Sequence, residues 1–374
     1  MVMGGVSILL LGGYGAVGKV LARLILQETH VDLIIAGRRL ARAQDFVHQL
    51  QQEFPPHRVT ARYADAADRD SLLTAFQQVH LVIVLTTTPH LIAQIGQAAL
   101  TAGCDYVDIL VSSSTYTDLL PLTTALHEQN RIFITQGGFH PGLPAALVRY
   151  GAQFFDRYDR AIIAMAMNAR FEQPGQAAEI IPMVTNFSAD ICQKGTWRKS
   201  TFRDAITMDM GPRFGKTQLF PMQMEEIKQV QKMYHLQDTG VYVSGFNWLV
   251  DYLIFPLIWL TQKIKPGLAM GLMQRLFTWG VNTFSSSRQG VVMMNDAAGL
   301  KDGRKKQMRI TVEHDDAYLF TAIPVVACLK QYLAGTLPRG LAMMGQILEV
   351  NKLFTAMAQM GIKISVEERE ENEK

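Results

Sequence analysis

The hexapeptide Gly13-Tyr14-Gly15-Ala16-Val17-Gly18 follows directly on an apolar run at residues 6–11 and opens a segment with Val20, Leu21, Leu24 and Ile25 at helical spacing. Strand, G-x-G-x-x-G turn and helix, in that order, constrain the fold more than any other feature of the chain, because the pattern serves a dinucleotide pyrophosphate. Gly13 is expected to permit the tight turn, Gly15 to let a backbone amide approach the phosphates, and Gly18 to let the helix lie close on the strand. With Tyr14, Ala16 and Val17 these residues form the expected cofactor grip, and the phosphates would face the positive end of the helix dipole.

The same rhythm continues. Short branched-aliphatic runs at residues 32–36, 59–63, 81–85, 106–109 and 131–136 alternate with segments of helical period at 16–27, 40–54, 71–78, 90–102 and 115–129. Largely apolar strands joined through helices predict an α/β fold with a parallel sheet covered on both faces. Six strands and five crossovers make a Rossmann doubly wound domain over residues 1–150. Beyond it, strand candidates at 160–167 and 307–313 flank a region of helices, glycine turns and methionines, which predicts a second α+β domain for substrate or dimerisation over 151–334. Amphipathic helices are expected at 317–333 and 341–360, the latter a closing C-terminal helix within 335–366 that returns to the first domain, with residues 367–374 as a solvated acidic tail.

About twenty residues after Gly18, an NAD enzyme usually sets an acid against the ribose 2′-hydroxyl. Here the chain reads Ala36-Gly37-Arg38-Arg39-Leu40-Ala41-Arg42. Arg38, Arg39 and Arg42 offer guanidinium groups to a 2′-phosphate and a small residue leaves space for it, so NADP is the expected cofactor. The plain alternative is a solvated helix start with scattered arginines. Asp65, just past the third strand, either borders the adenine or caps a helix. Thr86 and Thr87, with Thr88 and Pro89 after the fourth strand, either face the cofactor cleft or cap the next helix.

Hydride transfer also needs a group to handle a proton. Tyr106, Asp108 and His140 fall at strand ends near the ligand edge of the sheet and are the catalytic candidates, His140 as a proton shuttle near neutrality. Each has a structural alternative: sheet packing for Tyr106, a turn acid for Asp108, a helix cap for His140. Arg170, Arg198, Lys199, Arg213 and Lys216 could bind a substrate carboxylate, although isolated basic residues are usually solvated. His314, Asp315 and Asp316 read as a turn, and no metal is expected.

The chain resembles the saccharopine dehydrogenase-like oxidoreductases in three places: Gly13 to Gly18 with Ala36-Gly37-Arg38, then Gly103-Cys104-Asp105-Tyr106-Val107-Asp108, then Gly138-Phe139-His140-Pro141-Gly142-Leu143. Asp316-Ala317-Tyr318 and Thr321-Ala322 are similar to the ending of that family's second domain. The resemblance implies an NADP fold, an α+β substrate domain inserted before a closing helix, and oxidation or reduction at a C–N or similar centre. Family members commonly carry an acid where His140 stands, so the resemblance does not extend to saccharopine as substrate. The expected function is an NADP(H)-dependent oxidoreductase acting on a small or apolar substrate; the alternative is a catalytically idle dinucleotide-binding regulator, membrane-associated in one version.

A formal net charge of +3 with dispersed bases excludes a nucleic-acid footprint. Cys104, Cys192 and Cys328 are too scattered for a disulfide framework or metal site and read as reduced, buried thiols of a cytoplasmic protein. No basic leader precedes the first apolar run, so no signal peptide is expected. Residues 239–262 hold one formal charge, Asp251, and 266–283 are again mostly apolar. A polar stripe through Ser244, Asn247 and Asp251 argues for a surface or buried helix rather than a span. Over 239–283 three readings stay open: a homodimer interface, a lid over an apolar substrate, and a peripheral membrane patch.

Overall fold

The computed structural model describes residues 5–112, 114–168, 189–265, 267–285 and 289–369. The chain divides into two compact units, Met1–Tyr150 with Tyr318–Ile362, and Gly151–Ala317 with Lys363–Lys374.

The first unit is built on a wholly parallel sheet. Its strands are β1 (Ser7–Leu11), β2 (Asp32–Gly37), β3 (Val59–Tyr63), β4 (Leu81–Val84), β5 (Asp105–Asp108), β6 (Ile132–Thr135) and, far along the chain, β15 (Gly340–Met343). They lie in the order β15-β6-β5-β4-β1-β2-β3. The order reverses between β1 and β4, the switch point of a doubly wound Rossmann sheet. The crossovers are α1 (Ala16–Glu28), α2 (Leu40–Glu53), α3 (Arg69–Ala75), α4 (Ile92–Thr101) and a broken pair, α5 (Thr115–Leu119) and α6 (Thr123–Glu128). Pro121 lies in the 3-10 turn between the last two, because proline has no amide to continue an α-helix. Leu9, Leu11, Val82, Val84, Ile95 and Phe133 are buried on one face of the sheet. Cys104 is buried there too, its thiol donating to the Val79 carbonyl at 3.1 Å. All three cysteines are free and buried.

The expected single helix over 341–360 is instead three elements: β15, then α12 (Met344–Ile347), then α13 (Val350–Gln359). Leu341, Ala342 and Met343 pair with Phe133, Ile134 and Thr135 at the open edge of β6. A short apolar run carries no period that separates strand from helix, and the free sheet edge decides. The helical break falls at Glu349, whose carboxylate accepts the amides of Asn351 at 2.8 Å and Lys352 at 3.1 Å. The return to the first unit begins at Tyr318. The boundary near residue 335 therefore moves earlier, because α11 (Ala317–Leu333) already belongs there.

The second unit is an α+β body on a mixed nine-stranded sheet, with the main path β10-β11-β12-β7-β13-β14-β16 and β8 and β9 beside β12. These strands are β7 (Arg157–Asn168), β8 (Asp190–Gln193), β9 (Thr196–Lys199), β10 (Ile206–Asp209), β11 (Lys216–Met222), β12 (Asp238–Ser244), β13 (Gly290–Lys301), β14 (Arg304–His314) and β16 (Lys363–Arg369). Two expectations are corrected here. Residues 239–244, taken for part of a helix, lie in β12, paired with both β7 and β11. Residues 367–369, taken for solvated tail, lie in β16, where Val366 opposes Ile310 and Glu367 opposes Arg309. An edge strand carries charge along its exposed side, so its composition imitates a tail. The remainder of that tail, 370–374, lies outside the described residues.

Asp105 joins elements of the first unit distant in sequence: it accepts the Ile132 amide at 2.8 Å and the Tyr332 hydroxyl of α11 at 2.7 Å. Tyr332→Phe should lower unfolding free energy by about 1.5–3 kcal/mol, the usual worth of a hydrogen bond to a charged group. Urea unfolding measures it. An unchanged midpoint would mean that α11 docks by apolar packing alone.

Candidate functional site

β1 delivers the glycine turn to the switch point. The left-handed residue is Gly12, at φ +89°, rather than Gly13 as expected. Gly13 is instead demanded by packing, since a Cβ there would lie 2.8 Å from the Leu10 Cβ. A Cβ on Gly18 would stand 2.6 Å from the Gly13 carbonyl oxygen, so α1 begins pressed against the turn. At Gly15 a Cβ would meet only the Gly12 carbonyl, at 3.2 Å. No side chain caps α1 and its first turn holds no acid. Its leading amides and positive dipole end are therefore left to an anionic ligand, and a pyrophosphate fits that requirement.

Tyr14 has a role that residue types alone did not reveal. A Cβ on Gly37 would stand 2.6 Å from the Tyr14 ring, and the Tyr14 hydroxyl accepts the Arg39 amide at 3.1 Å. The space beside Gly37 thus holds a tyrosine ring, and that ring ties the phosphate turn to the end of β2. Arg38, Arg39 and Arg42 follow with exposed side chains, and none joins an ion pair among the described residues. The Ala64 amide donates to the Gly37 carbonyl at 3.2 Å, which brings the Asp65 turn alongside. Asp65 accepts the Ala67 amide at 3.0 Å, while Asp68 caps α3.

Thr86 borders the glycine turn, its methyl carbon 3.1 Å from where a Gly12 Cβ would stand. The threonines are not side-chain caps of the short helical turn that follows: Thr88 donates to the Thr86 hydroxyl at 3.0 Å. Thr87 is exposed beside them.

The three catalytic candidates separate. Asp108 is wholly buried and accepts the amides of Leu110 at 3.1 Å and Gln136 at 3.0 Å and the hydroxyl of Tyr106 at 3.0 Å. Burial pushes its carboxyl above the usual range, although bonds from Thr135, Gln136, Leu110 and Tyr106 oppose the shift. Tyr106 is wholly buried, stacks on Phe133 at 5.0 Å, and has its phenol pushed well up by burial and the neighbouring carboxylate. Both side chains bind the ends of β5 and β6 together, so the proton-transfer roles expected of them are withdrawn. His140 stands apart in the loop between β6 and α7 (Leu143–Ala152), half-buried, its ring 4.2 Å from that of Phe139. Burial pulls its imidazole down to about 4, so it is neutral at physiological pH and does not shuttle protons near neutrality as expected.

Comparison with known proteins gives the site its relatives. Residues 8–134 match the family model of the saccharopine dehydrogenase NADP binding domain. That match falls within the first unit and spans about a third of the chain. The saccharopine dehydrogenase (L-Glu forming) of Saccharomyces cerevisiae matches at TM-score 0.72 and 14% identity, covering 98% of this chain and 100% of its own, which shows a shared fold. Looser likenesses are the DAP dehydrogenase of C. glutamicum, at TM-score 0.49, 13% identity and coverage of 94% and 96%, and the biliverdin reductase of Synechocystis sp. PCC 6803, at 0.41, 12%, 95% and 98%. No curated protein sequence matches the chain significantly.

In the second unit, Arg198 is paired with Asp204, and Arg213 with Asp315. Lys199 and Lys216 are exposed, and Arg170 lies outside the described residues. The Asp316 amide donates to His314 Nδ1 at 2.9 Å, as a turn requires, and no metal-ligand cluster forms among the described residues.

The lowered His140 value has a measurable sign. The unfolded chain takes up a proton below about 6.5, the folded chain only near 4, so stability is fully present above 6.5 and is lost as pH falls between them, by at most about 3 kcal/mol. Urea unfolding at pH 7.5 and pH 5 should show a smaller loss for His140→Gln than for the parent. Equal losses would show that the imidazole titrates as in water.

Proposed function

We propose that the protein is an NADP(H)-dependent oxidoreductase of the saccharopine dehydrogenase-like type, moving a hydride between the nicotinamide and a small or apolar substrate. The observation that carries this reading is the end of β2, where three exposed guanidiniums, in no ion pair among the described residues, follow a glycine turn at the switch point and no acid stands between them. The nicotinamide of a bound cofactor would supply or accept the hydride. The chain's own residues bind and orient: the amides at the start of α1 receive the pyrophosphate, Arg38 with Arg39 or Arg42 receives the 2′-phosphate, and Thr86 and Thr87 border the cleft beyond β4. With Asp108 and Tyr106 committed to the sheet, His140 is the remaining candidate, as a neutral imidazole able to accept a hydrogen bond from the substrate or donate one to it. The same commitment favours a second reading, a dinucleotide-binding protein without turnover. A substrate panel followed by NADPH absorbance separates the two.

Titration of both cofactors tests the binding assignment. The parent should prefer NADPH by about tenfold, the lower end for a charge-assisted contact at an exposed site. Arg38→Asp should erase or reverse that preference by weakening NADPH and leaving NADH unchanged or improved. Tyr14→Phe frees the Arg39 amide and should weaken NADPH more than NADH. Gly15→Val should impair both alike, because it blocks the shared pyrophosphate. Equal affinities in the parent, or an unchanged preference in Arg38→Asp, would refute the assignment.

A further inference from the structure

Past β12 the chain leaves the second sheet as a helical hairpin. A π-helical turn, Val250–Ile254, runs into α9 (Phe255–Ile264), and α10 (Met270–Phe284) returns. The legs close on a small core of Val250, Ile254, Ile258, Met273, Phe277 and Val281, all buried. A surface helix would normally turn polar residues outward. Here Leu253, Leu257, Leu260 and Ile264, at spacings of four, three and four, form a second apolar row, and Ile264 is 69% exposed. On the return leg Leu272 and Trp279 are each more than half exposed. Most of the exposed large apolar side chains among the described residues lie on this one hairpin.

Its charges say what could cover it. Between Gly245 and Phe284 the sequence holds a single acid, Asp251, and three bases, Lys263, Lys265 and Arg275. Asp251 is half-buried and accepts the Phe246 amide at 3.0 Å, whereas the three bases are exposed. Lys263 holds its ammonium 4.4 Å above the Trp259 ring, an indole and a cation side by side as at a membrane–water boundary. A second copy of the hairpin would set bases against bases with no exposed acid between them, since a two-fold interface repeats the same patch on both sides. Anionic headgroups complement it. Neither leg can span, for no described helix is long and apolar enough to cross a membrane. A leg of about fifteen residues reaches only about 22 Å, against about 30 Å of hydrocarbon.

We propose that this hairpin docks the protein on a lipid bilayer bearing anionic headgroups, its outer apolar row seated among the acyl chains and Lys263, Lys265 and Arg275 at the headgroups. The test is cosedimentation of the full chain with phosphatidylcholine vesicles made with and without phosphatidylglycerol, alongside sedimentation velocity without lipid. Binding should be several-fold tighter with phosphatidylglycerol. Leu260→Glu with Ile264→Glu should weaken it about tenfold or more, and Lys263→Glu with Lys265→Glu should remove the advantage of the anionic lipid. All four positions lie outside the hairpin core, so thermal unfolding should be unchanged and a lost interaction is distinguishable from a lost fold. Failure to bind either vesicle, binding that survives the leucine and isoleucine substitutions, or a lipid-free dimer that those substitutions dissolve would overturn the proposal.

Discussion

The first unit depends on how closely α1 is allowed to approach β1: Gly18 lies so near the Gly13 carbonyl that any side chain would collide with it. That contact starts the helix at the end of the strand and brings its uncapped amides to the place where the sheet order reverses. Thr86, arriving from β4, then abuts the same turn. A longer connection would carry the helix dipole away from the cleft, and the field falls off within about one turn. The glycines thus work through two different exclusions, one of a Cβ against β1 and one of a Cβ against the peptide between strand and helix.

Tyr14 transmits this geometry sideways. The glycine turn and the arginine segment are separate features in the sequence, joined only by the habit of dinucleotide folds to use both. In the structure one ring joins them physically, filling the place that a side chain at residue 37 would take and accepting the next amide but one. The glycine turn and the arginine segment are therefore mechanically connected.

Sequence reasoning succeeded where a residue pattern has one physical cause and failed where it has two. The alternation through residue 136 has one cause, a sheet covered on both faces, and β4, for example, falls at residues 81–84 of the expected 81–85 and is buried throughout. Asp108 shows the opposite case. An acid at a strand end can face a ligand or gather the backbone of its neighbours, and only the amides of Leu110 and Gln136 tell which. Residues 341–343 and 363–369 were misread because strand formation there depends on an open edge supplied by segments far away in sequence. β13 was missed altogether, although Asp302 and Gly303, both at positive φ, are the kind of pair that joins two strands in a hairpin and were a legible signal for it.

Neither unit is a continuous piece of chain. The polypeptide passes from the first unit to the second after Tyr150, returns at Tyr318, and leaves again at Lys363. Each sheet consequently receives a strand, β15 in one and β16 in the other, from the last few dozen residues. On a ribosome releasing the protein from its N-terminus, the edge of β6 stays open until residues 340–343 have emerged, and that of β14 until residues 363–369 have followed. Unpaired edges are where nascent sheets capture one another. A chain cut before Gly340 would therefore lack the closing strand of both sheets, whereas one cut between Met343 and Lys363 would leave only the second sheet open to misassembly.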